Sequence, residues 1–563
     1  MEGLSLTRQP ILYFSIFVIF THLTFLKSTS QQGNSFIPEI GQSAVYHKAL
    51  ELQKNLNVLS ISIKPGYEDL ASLAYLRFEH GANILSVYIT NGEADAIIEY
   101  PHTRASKKRM EASQALSFIG GKVYFLSFPD IISARDSLRV RQEWQADSVR
   151  YRLMKVISEF KPDMIIVARD LEIGKHSILT NIVKSDLLET VRDLNTTNNS
   201  QFPQWSVDRV LIDDSSLSGY QFPVKTIIPL YKKTSTEIGR LAEQFYKSIL
   251  LQRMEWYSQC MPRYSLIFSR AKERKISLTK LNHLSEKHLI RIENKIAKLT
   301  SDILIKIRQG RVDAVEKNDF LLKFTQIMED IDAILRDKNK LKHYELRTLI
   351  GWKHNIDELK NALLDVKVYY TISDSILCNR QLTYFHVDSI SGYRPGNQLM
   401  MIIPDVEKGW IVNEDNRKQL PLTLGETFRF ISPQQSEYTY PDEIYGLDKN
   451  AIGKTLQIFI VSTDSSMVTR FIYTINLPLQ IAPRFTAEVM TPIVRYGSRE
   501  NIVVKLTNHS RDGISDFLSI DDSIVTIDNK RVLLNKKDST ALLSIPLVWN
   551  KMPYDGEYLV PVS

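Results

Sequence analysis

The chain of 563 residues has only two cysteines, Cys260 and Cys378. Two thiols close one disulfide at most, so a disulfide scaffold and an all-cysteine zinc site are excluded. Neither has a histidine placed beside it by a recognisable motif, so a buried or disulfide-bonded role is expected for both. No Gly-x-Ser-x-Gly elbow, no Gly-x-x-x-x-Gly-Lys-Ser/Thr loop and no His-Glu-x-x-His pair occurs. Those absences remove the commonest serine-hydrolase, nucleotide-binding and metalloprotease schemes. Charge of one sign accumulates nowhere: 71 Lys and Arg face 64 Asp and Glu, a net +7 spread along the whole length. With no dense basic block interleaved with aromatics, nucleic acid is not an expected partner.

What is present is the composition of folded domains, 43% hydrophobic and 24% charged. That balance excludes global disorder and a multispanning membrane protein. The length implies roughly three to five domains. The one long apolar run lies at 11–26, after Arg8 and before Lys27-Ser28-Thr29-Ser30-Gln31, the layout of a secretory signal peptide over 1–30. The chain is therefore expected to be secreted, periplasmic or on the cell surface. A membrane enters only if that segment stays uncleaved, as an anchor.

Behind the leader, apolar runs at 58–63, 84–90, 123–128 and 164–168 alternate with helical patterns at 67–80, 106–119 and 144–160. Strands alternating with crossover helices predict a parallel, Rossmann-like α/β domain over 46–260, with its ligand site at the C-terminal strand ends. Over 261–365 the apolar residues recur at three- and four-residue spacing, which predicts a helical hairpin or small bundle turning near Gly310, with solvated charges between. Beyond Val366 runs such as "TYFHVDSI", "TLQIFIVSTD" and "ENIVVKLTNHS" alternate and are bounded by Gly, Pro, Asn and Asp. They predict antiparallel β-sandwich modules at 366–479 and 480–563, the second Ig-like and not necessarily complete.

The order of short motifs in the α/β region carries more. An apolar strand is followed by x-Pro-x-x-Glu at the mouth of a helix, then "VYITNGEAD", "KRMEASQALSFIGG", "VYFLSFPD", "FKPDMIIVARD" and "EIGKHS". Over 58–187 this succession resembles the PIG-L/LmbE family of zinc-dependent de-N-acetylases, and "DLASLAYL" with 144–162 resembles its large secreted multidomain members. In that family the first strand ends in His-Pro-Asp-Asp-Glu. The resemblance implies that the His, the second Asp and a later His hold the metal, while the first Asp is the general base.

Here those positions read Lys64-Pro65-Gly66-Tyr67-Glu68, and the later segment reads Lys175-His176. The base position holds Gly66. Lys64 and Tyr67 replace two ligands: a protonated ammonium has no lone pair for zinc, and tyrosine is an uncommon ligand. His176 is the one ligand position retained, so no cofactor is expected. Thr90, Gly92 and Glu93 match a pocket-shaping Thr-x-Gly segment. Lys108 and Glu111 match an Arg-x-x-Glu pair, with Lys giving up the bidentate fork. Asp130 and Asp170 follow strands, where pocket residues or turn caps stand. Glu68 and Asp69 are expected on the first helical turn as anions near its N-terminus. A re-sited metal set of Asp69, His176 and either His102 or Asp130 is the alternative. His102 is otherwise a loop residue, and His80 is expected to be partly charged at a helix C-terminus.

Three functions stay open. One is a secreted, catalytically inactive homologue acting as a glycan-binding or scaffolding module, its partner a glycan or N-acetylated sugar. The second is a zinc-dependent de-N-acetylase with a rearranged site. The third is a structural or adhesive surface protein.

Overall fold

The computed structural model describes the chain between Gly41 and Trp549. Outside the described residues lie 1–40, 94–100, 132–136, 169–177, 197–201, 203–204, 214–218, 248–261, 271–286, 310–313, 337–340, 375, 392–396, 404–408, 414–418, 435–455, 464–468, 478, 491–500, 519–524, 527–529, 535, 538, 547 and 550–563. The leader, Gly310 and Cys260 fall among these. Among the described residues no helix is long and apolar enough to cross a membrane.

Helix α1 (Gly41–Lys54) leads into β1 (Asn57–Ser62), α2 (Leu70–His80), β2 (Asn83–Thr90), α3 (Pro101–Phe118) and β3 (Lys122–Phe128). Then follow α4 (Ser137–Trp144), α5 (Ala146–Phe160), β4 (Met164–Val167), α6 (Ile178–Thr196) and β5 (Arg209–Asp213). The helix expected over 144–160 is α5 to within two residues, and Gln145, whose φ of 48° is left-handed and unavailable to a continuing helix, separates it from α4. A short hairpin, β6 (Ile227–Ile228) and β7 (Lys233–Thr234), precedes α7 (Ser235–Glu243) and β8 (Tyr264–Ser269).

The six strands are ordered β3-β2-β1-β4-β5-β8, parallel except for the antiparallel edge strand β8. Because both faces are covered, the strands are near-continuously apolar. Alternate residues feed two cores. Val58 packs with Leu73, Leu76, Leu116 and Ile238 of α2, α3 and α7, whereas Leu59 and Ile61 pack with Trp144, Leu153, Ile157 and Val183 of α4, α5 and α6. The chain reverses direction across the sheet between β1 and β4. The loops after those two strands therefore flank the crevice in which such sheets bind ligands.

Residues 264–269, assigned from the sequence to the helical region, thus complete the sheet. Conversely α1, expected partly ahead of the α/β domain and partly inside it, packs through Val45, Ala49 and Leu52 into a bundle with α8 (Lys287–Arg308), α9 (Ala314–Leu335) and α10 (His343–Leu364). The expected solvated charges pair on its surface, Lys295 with Asp330 at 2.7 Å and Lys323 with Asp319 at 2.5 Å. One buried contact joins bundle to sheet: the guanidinium of Arg347 on α10 donates to both carboxylate oxygens of Asp163 at 3.2 Å. Asp163 also accepts the Asn57 amide at 2.8 Å, so a single side chain ties the start of β1 to a helix of another layer.

The β region starts with β9 (Lys367–Ile372), β10 (Ile376–Leu377), β11 (Leu382–Ser391), β12 (Gln398–Ile402), β13 (Ile411–Val412) and β14 (Gln419–Pro421). It continues with β15 (Thr427–Ile431), β16 (Leu456–Thr463), β17 (Thr469–Leu477) and β18 (Gln480–Ile481). Sheets β13-β15-β11-β9 and β14-β12-β16-β17 face each other across Phe385, Val387, Phe428 and Phe430 on one side and Met401, Ile458 and Ile460 on the other. This is the expected sandwich. Strand β18 pairs back with β10, so residues 480–481, expected in the second module, belong with the first. The second module has β19 (Phe485–Val489), β20 (Asn501–Asn508), β21 (Ile514–Leu518), β22 (Val525–Thr526), β23 (Lys530–Leu534), β24 (Thr540–Pro546) and β25 (Val548–Trp549). These make a three-stranded sheet β19-β20-β24 and the pairs β21-β23 and β22-β25. Cys378 is buried as a free thiol.

Candidate functional site

Strand β1 delivers the loop Lys64 to Asp69 to the crevice. Gly66 turns it with φ of +92°, a conformation that side chains disfavour. The position that the resemblance would assign to a base thus has a backbone that resists a side chain. Lys64 is buried and its Nζ sits 5.1 Å from the centre of the Tyr67 ring. The residues at two would-be ligand positions therefore contact each other, cation on aromatic face.

Glu68 is wholly buried and points back beneath the loop. One oxygen accepts the Gly66 amide at 3.0 Å, and the other accepts the hydroxyl of Tyr246. Tyr246 lies 3.3 Å from the hydroxyl of Tyr88 on β2. Asp69 caps α2, accepting from Ser72 N at 3.0 Å and from the Tyr264 hydroxyl at 2.8 Å. Burial pushes its carboxyl above the usual range in spite of those bonds. The expectation of helix-start anions holds for Asp69, while Glu68 serves the loop.

The end of β2 is stitched to the end of β1. Thr90 donates its amide to the Ile63 carbonyl at 2.8 Å and its hydroxyl to the same oxygen at 3.2 Å. Gly92 stands at φ of +71°, and a Cβ there would lie 2.9 Å from Cδ and 3.2 Å from Nζ of Lys108. Lys108 accordingly lies across Gly92, whose positive φ favours glycine. Arg104, Lys108 and Glu111 share one face of α3 at i, i+4 and i+7, and all three are buried. Glu93 accepts the Asp130 amide at 2.9 Å, and burial raises its carboxyl pKa, with the Asp130 charge adding to the shift.

Lys64, Tyr67, Thr90, Gly92 and Lys108 are thus gathered at the ends of β1 and β2, with Glu93 and Asp130 beside them between β2 and β3. Asp170, Lys175 and His176 lie outside the described residues, as does the side chain of His102. Sequence reasoning missed Tyr88, Tyr246, Tyr264 and Arg104. Only Arg104 had a signal, its helical spacing from Lys108. His80 is a correction: burial and Lys54 lower its pKa to about 4, and its ring bonds the Tyr75 hydroxyl at 3.1 Å, so it is neutral at pH 7.

These residues do not fit a zinc ion. Lys64 presents an ammonium packed on an aromatic ring, Gly66 presents nothing, and Asp69 is committed to a helix cap. Among the described residues no group of three His, Cys, Asp or Glu converges as a metal site would require.

Residues 70–185 match the family model of PIG-L, the GlcNAc-PI de-N-acetylases. The α/β domain is a PIG-L family domain. The matched segment starts at the first residue of α2 and so excludes the Lys64–Glu68 loop of this PIG-L domain. No curated protein matches the chain. Among solved structures it is similar to the 4-carboxy-2-hydroxymuconate hydratase GalB from Pseudomonas putida KT2440, at 14% identity over 39% of this chain and 100% of that one, TM-score 0.28. It is also similar to the N,N'-diacetylchitobiose deacetylase of Pyrococcus horikoshii, at 16% identity over 38% and 83%, TM-score 0.29. A deacetylase of teicoplanin biosynthesis shows 14% identity over 37% and 97%, TM-score 0.26.

Proposed function

We propose that the PIG-L domain of this chain does not hydrolyse amides and serves as a glycan-binding or scaffolding module of a secreted multidomain protein. The observation that carries this reading is the Lys64–Tyr67 contact over Gly66. A de-N-acetylase needs a Lewis acid, a water it can ionise and a base to take the proton. Here the loop that would supply two ligands and the base is instead closed on itself by Glu68, Tyr246 and a cation–π pair. A rearranged metal site built on Asp69 is disfavoured by the two hydrogen bonds that already hold that carboxylate. The matching family of GlcNAc-PI de-N-acetylases supports an N-acetylated sugar as the partner class, and the expected leader over 1–30 supports export.

The test is elemental analysis of chelator-free protein alongside its His176→Ala variant, with acetate release from N-acetylglucosaminides followed in both. The expected result is no stoichiometric zinc and no release from either. One zinc per chain, lost with release in the variant, would overturn the proposal.

A further inference from the structure

We infer that the second β module is hinged at Pro483 and latched to the sandwich by ion pairs on Asp374, a joint that opens with ionic strength and then uncovers Cys378. The inference is independent of whatever the PIG-L crevice binds. Strand β18 ends at Ile481 and β19 begins at Phe485, so three residues connect the modules. Ala482 donates its amide to the Leu377 carbonyl of the sandwich at 2.7 Å, and the Arg484 carbonyl accepts the His509 amide of the second module at 2.9 Å. Pro483 alone stands between those two anchors. Proline locks its own φ, so few torsions are left to turn and the motion is that of a hinge. Among the described residues the sandwich core runs from Leu364 to Ile481 and takes in nothing from the second module, and no sheet spans the joint. Without a large apolar interface, relative motion of two modules is the default.

Charge crosses the joint instead. Arg511 Nη2 of the second module lies 2.6 Å from one carboxylate oxygen of Asp374, and Lys537 Nζ lies 2.7 Å from the other. Both sides are preorganised. Asp374 donates its amide to Thr383 Oγ1 at 3.2 Å and accepts that hydroxyl on its own carbonyl at 3.0 Å. Arg511 sits on a turn closed by Asn508 Nδ2 donating to the Asp512 carbonyl at 3.0 Å and by Ser510 N donating to Asn508 Oδ1 at 2.8 Å. One carboxylate is shared by both cations, so a single substitution removes both ion pairs. The side chains of Asp374 and Lys537 are 21% and 17% exposed and that of Arg511 is 45% exposed, so dissolved ions reach the pairs. At molar salt the screening length falls to about 3 Å, roughly the span of the pairs themselves.

Beside the latch lies Cys378, a buried free thiol whose Sγ donates to the Pro483 carbonyl at 3.7 Å. Burial pushes the thiol pKa up, while the charges of Lys537 and Arg484 pull it down, so both cations stand near the sulfur. A swing about Pro483 carries the Pro483 carbonyl and Lys537 away from the thiol. Cys378 therefore reports whether the joint is shut.

The test is the rate of maleimide labelling of Cys378 in the full chain, with Cys260→Ser throughout so that one thiol remains. The otherwise unchanged chain, Asp374→Asn and Asp374→Glu are compared at low salt and at about 1 M NaCl, with solution scattering of each. We expect labelling to rise about tenfold in Asp374→Asn at low salt and by a similar factor in the unchanged chain at high salt. Asp374→Glu should restore part of the protection, and the maximum dimension should lengthen wherever the thiol labels fast. The salt arm requires no change at the latch and decides the question even if a variant does not fold. Labelling as slow at high salt as at low salt overturns the inference. So does fast labelling at an unchanged maximum dimension, which would assign the exposure to local fraying around Cys378.

Discussion

Tyr246 donates its hydroxyl to Glu68, 178 residues earlier in the chain, and Glu68 holds the Gly66 amide at 3.0 Å. The shape of the loop after β1 is therefore set from the far end of the α/β domain. Replacing Tyr246 by Phe leaves a buried carboxylate oxygen without that donor. The expected loss is about 1–3 kcal/mol in urea-induced unfolding. An unchanged midpoint would remove Glu68 from its role as the strut of the loop.

Gly66 supplies a second check. At φ of +92° an alanine is strained, and Gly66→Ala should cost about 1–2 kcal/mol. A neutral substitution would mean that the loop can adopt a turn compatible with a catalytic side chain.

Arg347 and Asp163 join the helical bundle to the sheet, with side-chain exposures of 10% and 3%. Truncating one partner of such a buried pair leaves the other charge uncompensated. Arg347→Ala should therefore cost about 3 kcal/mol or more, and Arg347→Lys should recover part of it without the bidentate fork. Equal stability of all three proteins would show that other contacts, among them the ion pair of Arg77 on α2 with Glu51 on α1, carry the join.

His47 on α1 is buried against Phe78 and bonded to the Tyr231 hydroxyl. Burial, with the nearby Arg77 charge, lowers its pKa from 6.5 to about 3, against the smaller opposing pull of Glu51. The folded chain thus refuses a proton that the unfolded chain accepts. The stability is full above pH 6.5 and is withdrawn as pH falls toward 3, by about 1.4 kcal/mol per unit from this one group. His47→Gln should flatten the stability profile between pH 6 and pH 4. A parallel profile in wild type and variant would assign the acid sensitivity to other groups.

Legibility from the sequence followed the range of the interactions. Strands β1 to β4 were read to within a residue because their apolar runs are local and continuous. The helix expected over 144–160 was likewise read to within two residues, while α4 ahead of it was not read. Strand β8 was missed because its pairing partner, β5, is more than fifty residues away and its apolar run adjoins helical sequence. Helix α1 was placed outside the bundle for the same reason, since α8 and α10 are brought to it only by the fold. His80 was misjudged because a helix C-terminus is visible in sequence and the burial that outweighs it is not.

The sequence by itself determined that this is a PIG-L-type α/β domain followed by helices and β modules, and that Lys64, Gly66 and Tyr67 follow β1 where the resemblance would place metal ligands and a base. Those are facts of residue type, order and local periodicity. Only the tertiary structure decided what those residues touch. Lys64 lies on Tyr67, Lys108 lies across Gly92, and Glu68 and Asp69 are bound by tyrosines from the end of the domain. Such contacts form between segments that only the closed sheet brings within hydrogen-bonding distance, and no spacing along the chain encodes them.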